Sequence, residues 1–232
     1  MARNRPPVLA QKNFQKHKAE LESLSLGEKF SEILRQNIWG SQESVSGVGS
    51  TIDATEAIRS GLVSICEQFV VKSLLDAPCG DYGWMSTLKL PVLNYIGVDI
   101  VGELIERNQR IYKGDGIHFA VADLTRDPLP QADLILCRDC LVHLSFENIR
   151  RVLKNLARSG SRYLLTTTFS EHDQNTDIKD GDWRLLNLQL APFDFPEPLS
   201  IINERCAEID GAYDDKSLAL WRIDSLPLSS PV

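Results

Sequence analysis

Four short apolar runs in the middle of this chain each end in an acid or a polar cluster, and the acids recur at regular intervals. The first closes as Leu74-Leu-Asp-Ala-Pro-Cys-Gly-Asp-Tyr-Gly-Trp-Met85. Gly80 and Gly83 let backbone pass close to a ligand where a Cβ would collide, and Asp76 can anchor the turn through backbone N–H groups. The second run ends Tyr95-Ile-Gly-Val-Asp99, an acid about 20 residues beyond the first turn, where a carboxylate can accept both hydroxyl protons of a ribose. The third gives Phe119-Ala-Val-Ala-Asp123-Leu124, an acid with an apolar neighbour suited to flank an adenine. The fourth gives Cys137-Arg-Asp139-Cys-Leu-Val-His143-Leu, polar groups that meet whatever lies beyond the nucleoside. Any one of these acids alone could be a helix N-cap; the ordered series is what points to a site.

Such a series needs strands to deliver it. The pattern predicts strands at 73–77, 95–99, 118–121, 133–138 and 162–168, with helices near 84–88, 102–112 and 145–158. Short apolar strands alternating with helices predict an α/β fold, a parallel sheet covered on both faces. Residues 199–205 and 216–223 read as two further strands joined by turn material at 210–215, an antiparallel hairpin closing the sheet. Ahead of the sheet, residues 1 to about 13 read as a loose tail, and 14–38 as two helices broken near Gly27. Then comes the small-residue loop Trp39-Gly-Ser-Gln-Glu-Ser-Val-Ser-Gly-Val-Gly-Ser50. Ser50 with Asp53 resembles a capping pair opening a helix that runs to about Phe69. The division expected is 1–50 for the N-terminal tail, helices and loop, 51–223 for the sheet domain and 224–232 for a C-terminal tail.

Composition narrows the partners. The chain has 232 residues, 43% hydrophobic and 25% charged, with a net charge of −7, which argues against general nucleic-acid binding. The five cysteines make no dense, even framework, so reduced thiols are expected, with Cys137-Arg-Asp-Cys140 ending a strand rather than opening a redox helix. No run approaches the roughly 20 apolar residues of a membrane span, and the basic N-terminus lacks the apolar centre of a signal peptide. A soluble, cytoplasmic protein whose partner is a small molecule or another protein is the expectation.

The segments LLDAPCGDYGWM, YIGVDI, FAVADL and DLILCRDCLVHL resemble the successive motifs of class I S-adenosylmethionine-dependent methyltransferases, over about residues 50 to 223. WGSQESVSGVGS and CRDCLVHLS are similar to segments of a poorly characterised subgroup of that family. The resemblance implies a Rossmann-like three-layer sandwich, its seven-stranded, mostly parallel sheet ending in an antiparallel strand, here with an N-terminal helical extension. It implies S-adenosylmethionine as cofactor and methyl transfer to a small-molecule or sugar-like acceptor. Asp76, Ala77, Pro78 and Gly80 would surround the methionine part, Asp99 would hold the ribose, and Ile100 would pack on adenine. Asp123 with Leu124 would bind the adenine edge, and backbone near Arg138 would close the pocket. Many members have glycine where this chain has Pro78. The missing G-x-G-x-x-G turn speaks against a nicotinamide-binding reductase. The remaining alternative is a binding module without activity, serving as a partner subunit.

Methyl transfer is an in-line displacement governed first by positioning; a base helps only if the acceptor must lose a proton. Asp139 and His143 are the candidate bases. The competing readings are that Asp139 caps the turn and that His143 packs on the sheet with one N–H satisfied. Trp39 and Ser50 bound a loop that reads as a lid over the cofactor. His172 and Trp183 are further candidates for contact with substrate, and Phe193 and Phe195 are either pocket or core. No compact ligand spacing supports a metal.

Overall fold

A computed structural model describes residues 5–112 and 114–228. Its seven strands are β1 (Ser73–Asp76), β2 (Asn94–Asp99), β3 (Ile117–Val121), β4 (Leu134–Cys137), β5 (Tyr163–Phe169), β6 (Ser200–Asn203) and β7 (Lys216–Arg222). They form one sheet in the order β3-β2-β1-β4-β5-β7-β6. β1 to β5 pair in parallel, and β7 runs antiparallel to both β5 and β6. The strand order reverses between β1 and β4. In an open α/β sheet a ligand crevice lies above the carboxyl ends at that point.

The central strands form because they are buried on both faces. β4 and β5 are buried along their whole length, as expected of continuous apolar runs in a parallel sheet. One face is covered by α3 (Glu56–Gln68) and α4 (Gly102–Ile111), through Ile58, Leu62, Ile65 and Ile105. The other is covered by α5 (Phe146–Arg158), whose Ile149, Val152, Leu153 and Leu156 fall at helical spacing on one stripe. Ser145 caps α5 by accepting from the Asn148 N–H at 3.3 Å. Among the described residues no helix is long and apolar enough to cross a membrane.

Several local expectations are corrected. The helix predicted near 84–88 is a single 3-10 turn, Met85–Thr87. Ser50 does not open α3, which begins at Glu56. The Thr55 hydroxyl donates instead to the carbonyls of Thr51 and Ile52, so turns fill the intervening residues. The break near Gly27 falls earlier: α1 (Leu9–Leu21) ends before Ser25, which starts α2 (Leu26–Arg35) with a complete capping box to Glu28.

Nor are residues 5–13 a loose tail. Val8 is buried, and Arg5 forms an ion pair with Asp215 at 2.8 Å while lying over the Tyr213 ring. Between β6 and β7, Glu208–Gly211 (α6) is one irregular turn with Ile209 and Asp210 at positive φ, beginning two residues before the turn material expected at 210–215. Of the expected C-terminal tail, Ile223–Ser225 forms a 3-10 turn and Leu226 is buried; residues 229–232 lie outside those described.

Candidate active site

The crevice between the β1 and β4 ends opens into a cavity of ≈ 180 Å³. β1 delivers Asp76, whose Oδ2 accepts the Tyr95 hydroxyl at 2.6 Å. Burial raises the Asp76 pKa to about 7; the hydrogen bond from Tyr95 opposes the shift and the Asp99 charge adds to it. Ala77 continues the ladder, its N–H donating to the Leu136 carbonyl, and its side chain is wholly buried in the core. Pro78 and Gly80 line the cavity. Gly80 sits at φ +52°, and a Cβ there would come within 2.3 Å of Ser46 Oγ.

β2 delivers Asp99. Its Oδ2 accepts the Gly80 N–H at 3.1 Å and its Oδ1 the Val101 N–H at 2.9 Å. These bonds fix the carboxylate while leaving lone pairs on both oxygens. Burial lifts its pKa to about 6 against these hydrogen bonds. Ile100 follows, packed against Gly27 of α2 and lining the cavity. β3 leads to Asp123, whose Oδ1 accepts from both the N–H and the hydroxyl of Thr125. The Leu124 carbonyl accepts from Asn155 Nδ2 of α5 at 2.9 Å, which pins this residue at the cavity wall.

β4 leads into a buried group of four charges. Arg138 Nη2 lies 2.8 Å from Glu204 Oε2 and 3.4 Å from Asp139 Oδ2. Lys216 Nζ lies 2.7 Å from Asp139 Oδ2 and 3.2 Å from Glu204 Oε2. Burial favours the neutral forms of Asp139, Arg138 and Lys216, but the opposite charges prevail. Asp139 is held well below the usual carboxylate range, Arg138 is raised, and Lys216 is pushed up to about 12. Asp139 was a candidate base. A carboxylate so held is a poor proton acceptor, and here it is the anionic partner of two cations.

His143, only 8% exposed, lines the same cavity. Its Nδ1 lies 2.8 Å from the Asp182 carbonyl oxygen. A carbonyl only accepts, so Nδ1 carries the proton and Nε2 keeps its lone pair. Burial lowers the His143 pKa to about 4, so the ring is neutral. The Trp39 ring packs against it with centroids 5.2 Å apart.

The 39–50 loop crosses the crevice and is fastened to it. Ser44 Oγ donates to Asp81 Oδ2 at 2.7 Å, the Asp81 N–H donates to Ser46 Oγ at 3.1 Å, and the Gly49 carbonyl accepts from Arg138 at 2.8 Å. Trp39 and Ser50 both line the cavity, as does Trp183. His172 is not brought there. Asn187 Nδ2 donates to its carbonyl and Asn175 pairs with the Asn187 backbone, folding that stretch outside the crevice. Phe193 and Phe195 belong to the core.

Sequence reasoning missed Glu204, Lys216, Glu208 and Tyr213, which arrive from the β6–β7 hairpin, and Trp84, over whose ring Arg138 lies at 5.8 Å. The loop's hold on Asp81 was also unforeseen. Among the described residues, no group of three or more His, Cys, Asp or Glu is gathered to hold a metal.

The sequence model of the family described as a methyltransferase domain matches residues 74–160. Among solved structures, the chain is similar to a SAM-dependent methyltransferase from Leishmania major at TM-score 0.59 and 16% identity, over 90% of this chain and 91% of that one. It is similar to the N-methyltransferase NodS of Bradyrhizobium japonicum WM9, solved with S-adenosyl-L-homocysteine, at TM-score 0.57 and 15% identity, over 83% of this chain and 97% of that one. Human N-acetylserotonin methyltransferase, solved with S-adenosylmethionine, matches at TM-score 0.53 and 16% identity, over 90% of this chain and 66% of that one. No curated protein matches the chain in sequence. The fold is that of SAM-dependent methyltransferases, and residues 74–160 match the methyltransferase-domain model.

Proposed function

We propose that this chain transfers a methyl group from S-adenosylmethionine to a small-molecule or sugar-like acceptor, in the crevice above β1 and β4. The observation that carries the reading is the Asp99 carboxylate, held at the cavity by the Gly80 and Val101 amides with lone pairs to spare.

The residues present fit the cofactor. Asp99 would accept the ribose hydroxyls through its remaining lone pairs. Ile100 and Leu124 offer apolar walls for a flat base, with Asp123 at its edge. Asp76, Pro78 and Gly80 face the space left for the methionine part, next to Arg138, and Gly80, lacking a Cβ, leaves room for Ser46 of the covering loop. When bound, S-adenosylmethionine supplies an electrophilic methyl group on a positively charged sulfur. An acid-lined pocket suits that charge.

The protein's own part is orientation, exclusion of water and movement of a proton. The 39–50 loop covers the crevice through Ser44, Ser46 and Gly49 and keeps water from it. The quartet around Asp139 fixes the floor. His143 Nε2 is assigned to accept the proton of a hydroxyl or amine acceptor, with Asp182 holding the imidazole in the required tautomer.

Titration calorimetry with S-adenosylmethionine tests the reading. Wild-type protein is expected to bind, and Asp99→Asn to weaken binding by about 10-fold or more, since hydrogen bonds to a charged group contribute about 1.5–3 kcal/mol each. Undiminished affinity in Asp99→Asn would remove the ribose assignment, and no binding by wild type would remove the function.

A further inference from the structure

The sheet order gives the cavity two ends. β3, β2 and β1 supply the end with Leu124, Ile100 and Asp99, while β4, β5 and β7 supply the other. At this second end Phe169, Trp183 and Tyr213 meet edge to face, their ring centroids 5.5, 6.0 and 6.3 Å apart. All three line the cavity, and Glu208 of α6 lines it with them. Glu208 lies close enough to act electrostatically on Tyr213 on one side and on Lys216 and Asp139 on the other. Among the described residues its carboxylate makes no hydrogen bond and no ion pair. His143, nine-tenths buried, shares this end with an unpartnered Nε2.

Charge decides what can occupy such a space. Among the described residues, six side chains lining the cavity are acidic and two, Arg138 and Lys216, are basic. Both cations are already committed to Asp139 and Glu204. An incoming phosphate or carboxylate would find no spare cation among the described residues and would meet Glu208 at close range, which is costly in a desolvated site. An ammonium would meet an unpaired carboxylate among aromatic rings, the combination that recognises organic cations. Burial holds the Glu208 pKa above its ordinary value, with Lys216 opposing; a bound cation would favour the ionised form.

We propose that this end of the cavity is an acceptor subsite selective for a cationic, amine-bearing molecule, its ammonium held by Glu208 beside Trp183 and Tyr213. The inference rests on the methyl-transfer reading and narrows its acceptor: an amine or amino sugar satisfies the subsite, and a phosphosugar or uronic acid does not.

Three probes of one shape and different charge test it: 2-phenylethylamine, 2-phenylethanol and phenylacetate, measured by ligand-observed NMR on the full chain with S-adenosylhomocysteine present. The amine is expected to bind about tenfold tighter than the alcohol, and phenylacetate most weakly. Glu208→Gln should erase the gap between amine and alcohol, and Glu208→Asp should keep part of it, with thermal melts reporting that both variants fold. Phenylacetate binding as tightly as the amine overturns the proposal on wild-type protein alone. So does an amine preference that survives Glu208→Gln. Binding of S-adenosylhomocysteine without the charge preference sinks the subsite alone, whereas the preference without that binding sinks the methyl-transfer reading and leaves the subsite standing.

Discussion

Lys216 Nζ meets Asp139 Oδ2 at 2.7 Å, a contact between the first residue of the antiparallel strand β7 and the turn that follows β4. It fastens a residue at φ +48°, a conformation that costs a non-glycine residue about 1–3 kcal/mol and persists only where the surroundings impose it. Orientation at the cavity floor thus depends on a strand far away in the chain.

Lys216→Met should therefore damage both stability and site geometry. Removing one member of a buried ion pair leaves an uncompensated charge and costs about 3–5 kcal/mol. Urea unfolding should register that loss. A variant that also converts Glu204 to Gln should recover part of it, because the group, left with Arg138 facing two carboxylates, then returns to one cation and one anion.

The buried carboxyl of Asp76 should give stability a pH signature. Its folded pKa stands near 7 against an ordinary 3.8, so between about pH 4 and 7 the folded state holds a proton that the unfolded chain has released. Stability must then fall as pH rises through that window and level off above it. Melting temperatures measured across the window should decline, and Asp76→Asn, which cannot ionise, should flatten the slope.

His143 carries the proton-transfer assignment. His143→Gln should lower kcat about 10²–10⁴-fold while leaving S-adenosylmethionine affinity near wild type. Because burial holds the imidazole pKa near 4, the neutral ring that accepts a proton persists down to that pH. The acidic limb of wild-type kcat should lie near pH 4, and an acidic limb near 6.5 would point to a solvent-exposed histidine instead.

Gly80→Ala tests the close approach of the first turn to the covering loop. The added Cβ would press on Ser46 Oγ while forcing alanine to φ +52°, a combination expected to cost more than about 1 kcal/mol. It also displaces the hydroxyl that Asp81 uses. Thermal melts should show the destabilisation, and stopped-flow measurement of S-adenosylhomocysteine release should show a faster off-rate.

The ends of β1 to β4 were legible because parallel buried strands read as apolar runs, and each run stops at a residue whose chemistry would be wasted in the core. Asp76, Asp99, Asp123 and His143 could be picked out that way. Glu204, Lys216 and Glu208 could not, since their partners lie 66 to 77 residues away in the cases of Arg138–Glu204 and Lys216–Asp139, and no local pattern encodes such a contact. His172 was misplaced for a related reason. Its loop is oriented by the Asn175–Asn187 pairing, which depends on how residues 170–199 wrap rather than on what they are. The first helix was read late because Val8, Phe14 and Leu21 are sparse apolar anchors in a polar stretch, meaningful only once they meet the domain.

Val8 walls the cavity and Arg5 is clamped to Asp215, so residues 5–8 are part of the chamber although they lie outside the sheet. A variant trimmed past Val8 would lose that wall and strand the Asp215 carboxylate. Affinities gathered with such a shortened protein would describe a different chamber.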